Sequence, residues 1–186
     1  MSYASEWKAA IERTERFNLR VPPQQQTTGL LLDEKRYSEF PYVVQEALGE
    51  IGTEDLAAQC LSIHYRLAPV IERWLGCPVS YTIGWIEDGS EQGMFRFGDD
   101  FIDEKLRNPA PPGGTVNIHA WLTLPSMEII DVALATTMGK VQNRPDMYGL
   151  VISKKADDLE GMAYKPMLVG DDFLLKSGLL QSVVIF

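Results

Sequence analysis

Cysteine and histidine are scarce in this chain, with two of each among 186 residues. Cys60 and Cys77 cannot build a disulfide framework, so in a reducing compartment both are expected as free thiols, each to be judged by its own surroundings. Long apolar runs are missing too. No stretch of 18 or more apolar residues occurs. The opening MSYASEWKAAIERTERF alternates charged and apolar side chains, where a secretory leader would show a basic patch and then an apolar core. The expectation is a cytoplasmic protein that does not enter the membrane. Positive charge is in short supply as well: 17 Lys and Arg stand against 26 Asp and Glu, for a net charge of -9, and no local Lys/Arg run offsets it. Such a surface repels phosphate backbones and anionic lipid, which argues against nucleic acid and suits a basic protein partner.

What is present reads as one globular domain over 1–186, 45% hydrophobic and 23% charged, long enough to bury a core. Trp7, Ala10, Ile11, Thr14 and Phe17 recur at helical spacing and predict an N-terminal helix. After Pro22-Pro23 and a polar run, Pro41 suits a first helical position for YVVQEALGEIG, which Gly49 and Gly52 end. Thr53-Glu54-Asp55 opens the longest helical segment, closing at Gly76. Pro69 inside it argues for a short turn first and a helix that begins nearer Cys60. PVSYTIGWIED, from Pro78 to Asp88, predicts a strand, and residues 89–114 form a long irregular connection, either a lid or a disordered loop. At the C-terminal end, KKADDLEGMAYKP reads as a solvated stretch. DDFLLKSGLLQSVVIF reads as a final strand or helix, and Asp99-Asp100 as a solvated face.

In TVNIHAWLTL, strand alternation puts Val116, Ile118, Ala120, Leu122 and Leu124 on a core face, with Asn117, His119, Trp121 and Thr123 on the other. Pro125-Ser126 then turns the chain into MEIIDVALAT, a hairpin. A three-residue loop sets Asp131 opposite His119. A looser loop closed by Leu124 and Glu128 sets it opposite Trp121, diagonal to His119. In both registers a carboxylate and an imidazole share a face, the pairing that orients a general base. Cys60 is the candidate it would activate, since a thiol near a helix N-terminus and beside a histidine is shifted toward thiolate.

CLSIHYRL at the front of a helix, YTIGW on a strand, then HAW on a strand with an Asp twelve residues after the histidine resemble the transglutaminase-like branch of the papain-like cysteine enzymes. Within it, the chain is most similar to the peptidases that cleave leader sequences in lasso-peptide maturation and their bacterial relatives. The resemblance covers about 53–136, leaving 1–52 as a helical N-terminal extension and 137–186 as a C-terminal one. It implies an α+β fold in which a central helix carrying the cysteine packs on an antiparallel sheet. It also implies a triad of Cys60 as nucleophile, His119 as general base and then acid, and Asp131 as orienter. The chemistry implied is acyl transfer at a peptide or protein amide without a cofactor, by hydrolysis, deamidation or crosslinking. Oxyanion or substrate contacts would come from the Cys60 backbone N–H, Gln59 or Trp121.

Three further readings stay open. Cys60 could fill a gap in a helix interface, with His119 a satisfied core histidine. The fold could serve as an inactive binding or immunity-type protein. Cys60 and His64, at i and i+4, could join Cys77 and His119 as zinc ligands, although no tight ligand knuckle is present and no metal is expected. Cys77, between Gly76 and Pro78, reads as a structural residue at a loop-to-strand junction.

Overall fold

A computed structural model describes residues 1–109, 111 and 116–180. The remaining positions, which include part of the proline-glycine connection and the end of the C-terminal apolar segment, lie outside the described residues. The fold is α+β: among the described residues there are six α-helices and five strands, and every pairing described below is antiparallel. None of these helices is long and apolar enough to cross a membrane. The chain divides into two compact units, with boundaries inside the first strand and just after His119.

One unit is built from Met1–Pro22, Thr82–His119 and the segment from Glu160 onward. Its helix α1 (Tyr3–Arg16) starts where the Ser2 side chain accepts the Ser5 N–H, a cap contributing about 1 kcal/mol. Tyr3, Trp7, Ala10 and Thr14 form the buried stripe. Thr14 does more than fill space. Its hydroxyl donates to the Ala10 carbonyl at 2.7 Å and accepts the Val169 N–H at 2.9 Å, fastening α1 to strand β5 (Ala163–Val169). Strand β1 (Ser80–Glu87) pairs with β5, and the register shifts between Ile83 and Gly84. Pro166, which has no N–H to give, lies across from Gly84 at this irregularity, the kind of place where a strand tolerates proline. Lys165 Nζ reaches Glu6 at 3.0 Å and Glu87 at 2.8 Å.

The connection after β1 is not irregular throughout, since it contains helix α4 (Asp99–Arg107), with Ile102 buried. Two acids in its first turn favour this helix start. Asp99 is no mere solvated charge, because it pairs with Arg13 Nε at 3.0 Å and with Arg16. The C-terminal segment forms helix α6 (Asp172–Lys176), and its Asp172 carboxylate accepts the Arg20 N–H at 2.8 Å.

The other unit comprises Pro23–Tyr81 and Ala120–Leu159. Its helix α2 (Glu34–Leu48) begins well before Pro41, contrary to the sequence expectation. The cause is Asp33, whose side chain accepts the Arg36 N–H at 2.9 Å and sets the start upstream. Pro41 then sits in the interior and forgoes one helical hydrogen bond. A 3-10 turn, Thr53–Leu56, precedes helix α3 (Cys60–Leu75), so the thiol helix does start at Cys60 after a short turn. Gly76, in the left-handed region at φ 68°, closes it. Ile63, Leu67 and Ile71 are buried along α3. Contacts with α2 include the Trp74 indole N–H on Glu39 at 3.0 Å and Arg66 on the Ala47 and Leu48 carbonyls, both at 3.1 Å.

Strands β2 (His119–Thr123), β3 (Glu128–Asp131) and β4 (Ile152–Lys155) follow. Leu122 pairs with Ile130 and Thr123 with Ile129, the register of the looser loop, and the Leu124 N–H donates to the Glu128 carbonyl at 2.9 Å. Counting back one pair brings Trp121 level with Asp131. Two expectations are corrected here. Only one face of β2 was read as core, but both are: His119, Trp121 and Thr123 are as buried as Ala120 and Leu122. The return strand also stops at Asp131, and the chain coils into helix α5 (Leu134–Gln142). The stretch read as solvated contributes the end of β4, at Lys154 and Lys155, and the start of β5, for which half-exposed lysines gave no apolar signal.

Candidate active site

Cys60 is the first residue of α3 and 7% exposed. Cys60 thus opens a 16-residue helix, whose first-turn N–H groups have no intrahelical acceptor. The approach to it is strained. Ala58, two residues upstream, has φ 58°, a left-handed conformation that costs a non-glycine residue about 1 kcal/mol or more. Its N–H donates to Thr137 Oγ1 on α5 at 3.1 Å, and that hydroxyl in turn donates to the Ala133 carbonyl at 2.8 Å.

A second tie runs through His64, one turn along α3 and fully buried. Its Nδ1 lies 2.8 Å from the Cys60 carbonyl, which can only accept, so Nδ1 carries the proton. Nε2, 3.1 Å from the Val132 nitrogen, accepts that N–H and is therefore the unprotonated nitrogen. Both ring nitrogens are engaged in a neutral imidazole, and neither keeps a lone pair for a metal. Among the described residues no group of three or more His, Cys, Asp and Glu side chains is arranged to hold one.

Asp131, also fully buried, ends β3. Its Oδ1 accepts the Ala133 N–H at 2.9 Å and the Leu134 N–H at 3.0 Å, which caps α5 and explains why the chain leaves the strand at this residue. The same oxygen lies 3.5 Å from His64 Nε2. That approach would be an ion pair only with a protonated ring, whereas the Val132 N–H bond calls for an unprotonated Nε2. Three successive N–H groups, those of Val132, Ala133 and Leu134, thus serve the imidazole and the carboxylate together.

His119 begins β2 and is 1% exposed. Within its own unit the imidazole stacks on Phe95, ring centres 5.2 Å apart at 23°, with Tyr164 at 6.4 Å. Phe95 has φ 63°, which for a bulky residue is an outlier of the sort found around functional sites. Gln59 stands at the N-cap position of α3 with no side-chain capping bond, and Trp121 is entirely buried. Cys77 follows the end of α3; burial pushes its thiol up from the ordinary value, with Arg36 opposing and Glu72 adding to the rise.

Within one unit, then, His64 ties the Cys60 carbonyl to the turn that carries Asp131; within the other, His119 stacks on Phe95. Sequence reasoning missed this role of His64. The available signal was the i, i+4 spacing to Cys60, which it read toward zinc. Ala58 and Phe95 carried no signal, because neither residue type advertises a left-handed backbone.

A cleft of about 620 Å3 opens in the same unit as Cys60. Phe40, Val44, Ile51, Leu56, Val132 and Val151 are among the residues that line it. Compared with protein-family profiles, curated proteins and solved structures, the chain has no match in any of the three.

Proposed function

We propose that this protein carries out thiol-dependent acyl transfer on a peptide or protein amide, with Cys60 as nucleophile, His119 as general base and then acid, and Asp131 as the orienting carboxylate. The observation that carries the reading is the start of α3 at Cys60, which sets the thiol in the field of a helix N-terminus. Strained backbone at Ala58 and at Phe95, the residue stacked on His119, is in keeping with it.

In the reaction the thiolate attacks the amide carbonyl, and first-turn N–H groups receive the oxyanion. The imidazolium then gives its proton to the leaving amine. Water, deprotonated by the same imidazole, cleaves the thioester and returns the thiol. Hydrolysis needs no second substrate and is the favoured outcome over crosslinking; ammonia as leaving group makes the same sequence a glutamine deamidation. No cofactor enters. A thiol nucleophile works where thiols stay reduced, which fits the cytoplasm.

A second reading, an inactive binding or immunity-type protein of this fold, draws on the near-complete burial of Cys60 and His119 and on the apolar cleft. Iodoacetamide labelling near neutral pH separates the two. Faster alkylation of Cys60 than of Cys77, with the difference abolished in His119→Ala, supports the thiol enzyme. Equal and slow labelling of both cysteines supports the binding protein.

A further inference from the structure

We propose that His64 is the positioning residue of the Cys60 site: as a neutral Nδ1–H tautomer it ties the front of the thiol helix to the turn that carries Asp131. The inference rests on the thiol-enzyme reading and adds a residue that takes no part in bond making.

The two bonds of the ring do different work. Nδ1–H on the Cys60 carbonyl spans i to i+4 within α3, so it orients the imidazole against its own helix and fixes the tautomer. Nε2 on the Val132 N–H crosses 68 residues of sequence and joins two elements. Because the tautomer is set by the first bond, the second always finds an acceptor at Nε2. The adjoining N–H groups of Ala133 and Leu134 hold Asp131 Oδ1, so a shift of α3 along its axis would pull on the carboxylate through one short stretch of backbone. Together with the Ala58 bond to Thr137, this locks the start of α3 against the β3–α5 corner from two sides. A full seal from solvent keeps water from substituting for either bond. The imidazole therefore does for nucleophile and carboxylate what rigid support does for any catalytic constellation, where a displacement of about 1 Å can cost on the order of 100-fold in rate.

The test uses the full chain carrying Cys77→Ser, so that one thiol reports, and compares His64→Gln, His64→Asn and His64→Ala. A Gln oxygen reaches the Nε2 position and keeps the bond to Val132, whereas an Asn reaches only the Nδ1 position and keeps the bond to the Cys60 carbonyl. The rate of Cys60 alkylation is followed against pH, alongside the hydrogen exchange of the Val132 amide. The expected result is a Gln variant that retains most of the rate, the pH midpoint and a protected Val132 amide. The Asn and Ala variants should fall roughly 10–100-fold in rate, with an exposed Val132 amide. Unchanged rate and midpoint in the Asn variant, or a Gln variant as impaired as Asn, overturns the positioning role while leaving the thiol enzyme standing. A parent Cys60 that labels no faster than Cys77 does in the unmodified chain overturns both. Should the variants not fold, the 15N shifts of His64 in the parent decide: a protonated Nε2 or a charged ring refutes the tie.

Discussion

Removing the Asp131 carboxylate tests the corner on which the site depends. Oδ1 accepts two backbone N–H bonds, at 2.9 and 3.0 Å, from a side chain with no solvent exposure. Truncation to alanine leaves two buried donors without acceptors. An unsatisfied buried donor costs about 1–3 kcal/mol, and loss of a helix cap in more exposed settings about 0.5–2 kcal/mol in all. Full burial places Asp131→Ala toward the upper end, roughly 3–4 kcal/mol of stability. For a chain of this size each kcal/mol lowers Tm by about 2–4 °C, so the expected fall is about 6–16 °C. Asp131→Asn keeps an oxygen where Oδ1 stands, and Asn caps about as well as Asp, so its loss should stay near 1 kcal/mol. Urea unfolding followed by circular dichroism measures both. A folded Asn variant then isolates the charge: if the carboxylate orients His119, Cys60 reactivity drops although the fold is kept, as happens when an orienting carboxylate is replaced by an amide. An Asp131→Ala stability within about 0.5 kcal/mol of the parent would refute the capping argument.

Thr14→Val, nearly isosteric, removes the acceptor of the buried Val169 N–H and should cost about 1–3 kcal/mol, with Thr14→Ser restoring most of it; equal urea midpoints for all three would contradict this. Burial holds the Cys77 thiol above its ordinary value, so its thiolate fraction at neutral pH is reduced and its alkylation midpoint should lie above that of a free cysteine. Glu72→Gln, which removes a charge that adds to the rise, should move that midpoint down, and a midpoint that stays put or moves up speaks against the assignment. At Gly139 an added Cβ would meet the Arg144 carbonyl oxygen at 2.7 Å and Met147 Cβ at 3.0 Å, so Gly139→Ala should destabilise the α5 end by about 1–3 kcal/mol; a neutral or raised Tm would count against that packing.

Much of the local structure was legible from residue types. Trp7, Ala10 and Thr14 announced the buried face of α1 and Gly76 the end of α3, because spacing and left-handed turns act within a few residues; Pro69, by contrast, is accommodated inside α3, nine residues beyond the start at Cys60, and does not set that start. The misreadings share one cause. Helix α2 starts at an Asp33 cap that outweighed the attraction of Pro41 as an N-terminus. The β3 strand ends where the Asp131 oxygen takes two N–H groups, and β4 presents lysines without an apolar stripe.

What the sequence by itself determined is the inventory and its alternation: an α+β chain, a thiol at the front of a helix, and an imidazole and a carboxylate on successive strands. Only the tertiary structure decided that both faces of β2 are covered and that Asp131 caps α5. It alone also showed that His64 accepts the Val132 N–H. Periodicity fixes which way a side chain leaves its own backbone; whether another element lies there to bury it, or to offer it a hydrogen bond, depends on residues far away along the chain.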